Sequence, residues 1–540
     1  MIRKLLVANR GEIAVRIFRT CERLGIGTVA VVAPDDRGAF HARRANETRG
    51  VDSYLDAEAL AYAARDAGAD AVHPGYGFLA ESPDLARAVE AAGITWVGPP
   101  ADVLAASADK LAAKRSAEAA GVPVVPTGTP EEIGFPLMIK AAAGGGGRGM
   151  RIVRAREELD DAVEAARREA LAGFADDTVF FERYVERPRH VEIQLLADRH
   201  GGVFSLGERD CSVQRRHQKV LEESPSPVVD AALRAEMGGA AVRLAGSLGY
   251  VGAGTAEFLL AGDAFYFLEL NARIQVEHPV TELVTGLDIV EQQLRIADGE
   301  SLALGDVEPS GHAVEVRLYA EDPRSFLPQA GRVDALQLPG EIRVDAGVES
   351  GDEVPVSYDP MIAKLVASGD TRQEAVARLA DALRRTHVTG VTTNLPFLRW
   401  LLAHPEVRAG RATTAFLTEN PPLAEPVSVP RAWAGYWRLN RDPGKPPPPP
   451  LAPPQVDAAA HEAAAQGGEE SAVTAPMPGT VIRVLAGEGD RVEPRQPLVV
   501  LEAMKMETPL VSPHDAVVRR VHVSEGDVVG GGTVLLELDE

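Results

Sequence analysis

The sequence predicts an α/β protein over its larger front part and a separate all-β module at its end. Three observations carry that prediction. Strand and helix signals alternate from the first residues onward. Prolines crowd between residues 419 and 454, and residues 457–470 then hold hardly any large apolar side chain. Residues 472–540 contain an internal repeat. A chain of 540 residues has room for roughly three to four domains.

The elements follow in order. An apolar run at 4–8 reads as a strand, and Gly11 opens a stretch in which Ile13, Ile17, Cys21 and Leu24 recur near helical spacing until Gly25 stops it. A β-branched run at 28–32 is the next strand. Strands at 71–73 and 94–97 flank a helix at 85–92, which implies a layered domain with a largely parallel sheet over residues 1–105. A helix at 108–120 leads to strands at 136–142 and 151–154 on either side of a glycine loop, then a charged helix and strands at 178–183 and 190–197. From residue 203 the pattern is mostly β with one helix at 231–248. From 310 to 417 it is mixed, with strands at 313–319 and 360–367 and a helix at 372–385.

Composition narrows the function. Lys and Arg number 56 against 79 Asp and Glu, a net charge of −23, and such a surface repels nucleic-acid phosphates and anionic membranes. The two cysteines, Cys21 and Cys211, have no metal-like spacing, which excludes a disulfide scaffold or structural zinc site and fits a reducing cytoplasm. The first apolar run is too short for a signal peptide and no later one is long enough for a membrane span. The proline-rich and alanine-rich stretch at 419–471 cannot bury enough apolar surface to offset its chain entropy, so it reads as a linker.

Four segments carry chemistry. Between two strands, Lys140 precedes glycines 144–147 and Arg148; glycines let backbone N–H groups close over phosphates, and the cations neutralise them. The order lacks the GK[ST] of a Walker loop. Further on, a turn at 261–264 centred on Asp263 places Glu257 opposite Glu269. Alternation adds Asn271 and Arg273 to that face and puts Phe258, Leu260, Tyr266, Leu268 and Leu270 on the core face. Two opposed carboxylates need a cation between them, and hard oxygen donors suit Mg²⁺. Residues 208–219 form a local excess of cation in an acidic chain, suited to small anions. In the tail, Glu488-Gly489-Asp490 recurs as Glu525-Gly526-Asp527, and the same offset aligns Val481 with Val518, Val492 with Val529 and Leu501 with Leu538. Two such halves predict a flattened quasi-twofold barrel or sandwich. Lys505, between Met504 and Met506, falls on a hairpin tip at their join, a position suited to covalent modification.

With LLVANRGEIAVR, HPGYGFLAE, GGGGRGM, ERDCSVQRRHQK, FLELNARIQVEHPVTE and EAMKM in this order, the chain resembles the biotin-dependent carboxylases. It is most similar to an acyl-CoA carboxylase α subunit in which a biotin carboxylase and a biotin carboxyl carrier share one polypeptide. The resemblance implies a Rossmann-like pre-ATP-grasp domain at 1–105, an ATP-grasp domain at 106–309 and a mixed α+β C-terminal domain at 310–418. The linker at 419–471 and an all-β biotinyl domain at 472–540 complete the chain.

The same resemblance implies roles. Lys110, Lys140, Gly146, Gly147, His190 and His217 match positions at the ATP phosphates or ribose, joined by Gln214, while Glu182, Arg183 and Val185 match the adenine hinge. Glu257, Glu269 and Asn271 match ligands of Mg²⁺ or Mn²⁺. Lys219, Arg273, Gln275 and Val276 match the bicarbonate site, Glu277 the base that deprotonates bicarbonate, Arg317 the residue beside the biotin enolate, and Lys505 the biotinylated lysine. In the implied reaction, bicarbonate attacks the γ-phosphate of ATP to give carboxyphosphate, which yields CO₂ and phosphate; phosphate deprotonates biotin, and biotin captures CO₂ as carboxybiotin. Ala143 and Arg183 depart from residues common in the family.

No segment reads as a carboxyltransferase, so the resemblance implies a separate carboxyltransferase β subunit acting on an acetyl-CoA or propionyl-CoA type of substrate. It also implies a biotin protein ligase as partner and a homo-oligomeric carboxylase core within a larger α/β complex. A flexible linker of about 50 residues spans roughly 40 Å r.m.s.. Two alternatives stay open at this point: an ATP-grasp ligase with a lipoyl-type carrier, and a carrier or assembly subunit whose ATP site is inactive.

Overall fold

The computed structural model describes residues 1–422, 472–475, 479–493, 496–503, 506–529 and 532–539, apart from 143–149, 175, 216–217, 306, 325 and 356. The expected linker lies almost wholly outside the described residues.

The first layer is a parallel sheet ordered Glu47–Gly50, Gly27–Val32, Lys4–Val7, Ala71–His73 and Thr95–Trp96. Helix Gly11–Leu24 buries Ile13, Ile17 and Cys21 against it and ends at Gly25, whose φ of +71° is left-handed backbone that glycine adopts without penalty. The edge strand Glu47–Gly50 is absent from the sequence reading because Glu-Thr-Arg-Gly has no apolar alternation; backbone pairing alone defines it. The helix expected at 108–120 is present as Lys110–Ala119, and a further helix, Ala101–Ala108, precedes it. Asp109 separates them, with ψ of 105° and a side chain that accepts the Leu111 and Ala112 N–H groups at 2.9 Å. Aspartate prefers this capping geometry to a helix interior.

The central feature is an eight-stranded antiparallel sheet. Its order is Ala264–Asn271, Gly252–Ala261, Arg189–Ala197, Val203–Arg215, Gln218–Ser224, His312–Tyr319, Met361–Gly369 and Arg343–Ala346. It runs without a break through residues on both sides of position 310. Helix Ala231–Ser247 packs against the sheet through Met237, Ala241 and Leu244. Helices Arg372–Arg385 and Leu395–Ala403 cover its C-terminal strands through Leu379, Leu383, Leu398 and Leu401. Helix His278–Thr285 lies over the middle strands, with Val280 and Val284 against Ala313 and Val366. A small sheet of Arg151–Val153, Leu137–Ala141 and Val179–Arg183 carries helix Leu159–Phe174.

The tail forms two four-stranded sheets among the described residues, ordered Ala472–Thr474, Val534–Asp539, Ala516–Val521, Arg491–Val492 and Met506–Val511, Pro497–Ala503, Gly479–Val484, Val528–Val529. The repeat offset maps one order onto the other. Hydrogen bonding repeats as well: Val484 N–H donates to Glu525 Oε1 and Val521 N–H to Glu488 Oε1, both at 3.2 Å. Gly489 and Gly526, with φ of +90° and +95°, each donate at 2.7 Å into the opposite half. Each Glu-Gly-Asp turn thus clasps the other half.

Candidate active site

The hairpin that carries the predicted acidic pair has a tighter turn than the sequence suggested. Ala261 pairs with Ala264, leaving the two-residue turn Gly262-Asp263 and a register one residue off the expected one. A β-bulge between Glu257 and Phe258 restores the expected register beyond it, so Glu257 does lie opposite Glu269 and Thr255 opposite Asn271. The bulge also corrects the core assignment. Phe265 and Phe267, rather than Tyr266 and Leu268, join Phe258, Leu260 and Leu270 in the core, because the extra residue inverts the alternation on the turn side.

Asn271 Nδ2 bridges the two carboxylates, at 3.0 Å from Glu257 Oε1 and 3.3 Å from Glu269 Oε1. Arg273 donates from Nη2 to Asn271 Oδ1 at 2.9 Å and from Nε to Glu81 Oε2 at 3.0 Å, so all four residues predicted on this face form one network. Two hard carboxylates bridged by one amide are a donor set that suits Mg²⁺.

Lys219 is the hub of the site. Its Nζ donates to Glu257 Oε1 at 2.8 Å, to Glu277 Oε1 at 2.6 Å and to Glu192. Burial opposes its charge, but the three carboxylates outweigh burial and hold the ammonium well above the usual lysine range. His190 pairs with Glu257 Oε2 at 2.9 Å, and Glu257 outweighs the burial that would otherwise keep the imidazole neutral. Glu257 is correspondingly held well below the usual carboxylate range; burial would raise it, and Lys219 and His190 overcome that. Gln275 donates to Glu257 Oε1 at 2.6 Å, and Gln214 meets His190 Nδ1 at 2.8 Å. The Val276 carbonyl accepts from Lys364 at 2.8 Å.

Glu277 sits at the N-terminus of helix His278–Thr285, between two cations. Besides Lys219, it accepts from Arg317 Nη2 at 3.1 Å, while Arg317 Nε donates to Glu222 Oε1 at 2.6 Å. Burial would raise the Glu277 carboxyl, but Lys219, Arg317 and Arg209 together depress it below the usual range. It is therefore ionised throughout the neutral range.

Toward the small sheet, Lys140 pairs with Glu182 at 2.6 Å and Lys114 pairs with the same carboxylate. Val185 is half-buried and Arg183 exposed. Lys110 starts a helix, and its side chain lies outside the described residues, as do Gly146, Gly147, His217 and Lys505. The strands flanking Lys505 pair Ala503 with Met506.

Several residues of the site were not singled out from the sequence. Arg209, fully buried, donates to Glu192, to Gln194 Oε1 at 2.6 Å, to Thr281 Oγ1 at 3.0 Å, to Thr255 Oγ1 at 3.1 Å and to Gln275 Oε1 at 2.8 Å. The signal was present as polar residues at period two in apolar strands: His190, Glu192 and Gln194 alternate with Val191, Ile193 and Leu195. Lys114, Glu81, Glu222 and Lys364 are brought in by tertiary contacts that no local pattern announces.

Comparison with known proteins decides the family. Residues 1–104 match the biotin carboxylase N-terminal domain, 109–304 the ATP binding domain of the carbamoyl-phosphate synthase L chain, 315–419 the biotin carboxylase C-terminal domain and 471–538 the biotin-requiring enzyme domain. Biotin carboxylase 2 of Bacillus subtilis is 47% identical over 443 residues, covering 78% of this chain and all of that one. The chain belongs to the biotin carboxylase family. A second relative, the mitochondrial methylcrotonoyl-CoA carboxylase subunit alpha of Arabidopsis thaliana, is 48% identical over 445 residues, 78% of this chain; that match spans 61% of the plant subunit's length. The biotin carboxylase domain of Hydrogenobacter thermophilus 2-oxoglutarate carboxylase, solved with MgADP, ADP and bicarbonate, superposes with a TM-score of 0.76. It is 42% identical and covers 78% of this chain and 98% of that one. Among the described residues of this biotin carboxylase, no helix is long and apolar enough to cross a membrane.

Proposed function

We propose that this chain carboxylates biotin with ATP and bicarbonate, that the biotin is carried on Lys505, and that a carboxyltransferase β subunit passes the carboxyl group to an acyl-CoA. The observation that carries this reading is the Lys219 hub, where one buried ammonium meets Glu192, Glu257 and Glu277 beside Arg317. Such a cation is neutralised until an anion arrives. Bicarbonate drawn to Lys219 and Arg273 takes over part of their charge; Glu277 is thereby relieved of a cation, gains basicity and can accept the bicarbonate proton. The deprotonated oxygen then attacks the γ-phosphate of ATP, the bond to the β-phosphate oxygen breaks, and carboxyphosphate forms as ADP leaves, with Lys140, His190 and Gln214 along the nucleotide side and Glu182, Arg183 and Val185 toward the base. Mg²⁺ would be held by Glu257, Glu269 and Asn271 and would supply charge neutralisation at the phosphates.

Arg317 stands where it can balance negative charge on the ureido oxygen of biotin, the second substrate of this half-reaction. Gln275 and Val276 position bicarbonate, and Lys110, Gly146, Gly147 and His217 complete the nucleotide site. The reading divides the chain at about residues 105, 309, 418 and 471, with the last segment as a tethered carrier. Its partners are a biotin protein ligase and further copies of the carboxylase core, and its setting is the cytoplasm. The test is bicarbonate-dependent ATP hydrolysis by the full chain with free biotin, together with an intact-mass gain of one biotin after expression with a biotin ligase. Absence of the ATPase would return the chain to a carrier or assembly role, and a lipoyl mass gain would change the cargo.

A further inference from the structure

Glu222 and Glu315 are partners in register on adjacent strands, Gln218–Ser224 and His312–Tyr319, and both are fully buried beneath helix His278–Thr285. Directly opposed residues on one face place their side chains side by side. Glu222 Oε1 accepts from Arg317 Nε at 2.6 Å, but Glu222 Oε2 and both Glu315 oxygens have no hydrogen-bond partner. Two ionised carboxylates in that position would repel, and a buried unpaired charge is expensive.

We propose that Glu222 and Glu315 share one proton and act together as a positioning pair for Arg317. The proton resides on Glu315 and is donated to Glu222 Oε2, which leaves Glu222 Oε1 to receive Arg317. One shared proton thus satisfies orphaned atoms on both residues. The pair carries a single negative charge, so Arg317 faces one anion on that side and Glu277 Oε2 at 3.1 Å on the other. The charged groups that surround the pair are Arg317 and Lys219 on the same two strands, Lys364 on the next strand, and Glu277 at the start of the covering helix. Burial raises both carboxyls: Glu222 goes up to about 7 against the pull of Arg317, and Glu315, with Lys364 and Arg317 opposing less effectively, goes well above the usual range. The asymmetry agrees with Glu315 as the acid and Glu222 as the anion. The pair holds the guanidinium so that its other arm faces the reacting groups, a role that rests on the assignment of Arg317 to biotin above.

Infrared difference spectroscopy of the full chain at pH 8 tests the shared proton without turnover. The expected result is a protonated-carboxyl band that disappears in Glu315→Gln and persists in Glu12→Gln, which removes another buried carboxyl, on helix Gly11–Leu24, whose oxygens also have no hydrogen-bond partner; a wild-type chain without such a band overturns the proposal. Kinetics with free biotin test the positioning role. Glu222→Gln is expected to raise the KM for biotin about tenfold with the KM for ATP within twofold, whereas Glu315→Gln, which keeps a donor toward Glu222, raises the biotin KM less than threefold. Equal effects of the two substitutions, or a matching loss in ATP affinity, overturn it. A band with the expected behaviour in a chain that shows no bicarbonate-dependent ATPase would leave the proton sharing intact and remove the assigned reaction instead.

Discussion

Lys219 and Glu277 meet at 2.6 Å between Nζ and Oε1, so the two groups to which the proposed reaction gives the drawing in of an anion and the taking of its proton neutralise each other at rest. Each becomes available only as the other is engaged. That reciprocity makes the two side chains one device.

Removing one half of it exposes the division of labour. Glu277→Gln is expected to lower biotin-dependent ATP cleavage about a hundredfold or more, the range for loss of a general base, and Arg273→Ala to act similarly. Nucleotide affinity, read by titration with a fluorescent ATP analogue, should change less than threefold in both. A parallel collapse of affinity would place these residues in the nucleotide site.

Lys505→Ala is expected to abolish biotin attachment, seen as loss of the mass gain, while carboxylation of free biotin continues within about threefold. Among the described residues, the carrier folds around its own core of Val481, Leu498, Leu501, Val518, Leu535 and Leu538, with none of the carboxylase core in it. Loss of both activities in a folded variant would contradict that independence.

Arg209→Lys is expected to destabilise the chain by about 3 kcal/mol in urea titrations. A lysine has no planar fork with which to reach Glu192, Gln194, Thr255, Gln275 and Thr281 together, and the buried acceptors are left unpaired.

Asp288 gives a stability prediction with a defined pH window. It caps helix Ile289–Ala297 and accepts from Arg16 at 2.9 Å, Thr20 at 2.7 Å and Arg23 at 2.7 Å. Burial would raise this carboxyl, but Arg16, Thr20 and the helix N–H of Glu291 hold it below its ordinary value. A depressed folded-state pKa contributes stability that is fully present above the unfolded value, about 4, and is lost as pH falls through the folded one. Asp288→Asn should therefore cost about 2 kcal/mol at pH 7 and progressively less than that as the pH is taken below about 4, measured by urea unfolding across that range.

Much of this was readable beforehand. Helix Gly11–Leu24, its glycine stop, the strand Ala71–His73 and the tail repeat all follow from local spacing, because their hydrophobic faces and turns are local. The acidic pair Glu257 and Glu269 follows from the turn at 261–264, which forms with its centre off the expected Asp263; two shifts of register, at the turn and at the bulge, cancel at the site. Tyr266 and Leu268 lie on the wrong side of that cancellation and were misplaced. Glu47–Gly50 and Asp109 were missed because a paired edge and a capping side chain leave no hydrophobic period. Lys364, Glu222 and Glu81 reach the site from distant parts of the chain, and only the folded sheet brings them there.

The eight-stranded sheet also acts as a ruler. Glu257 and Arg317 stand four strands apart, on Gly252–Ala261 and His312–Tyr319, so their backbones are separated by roughly 19 Å at the usual strand spacing. Long side chains close that gap, with Lys219 reaching from Gln218–Ser224, one of the three strands between them, to Glu257 on one side and to Glu277, itself held by Arg317, on the other. Because a single hydrogen-bonded fabric spaces them, closure of any surrounding segment can shut out water without altering the distance from the Glu257 end of the site to the Arg317 end.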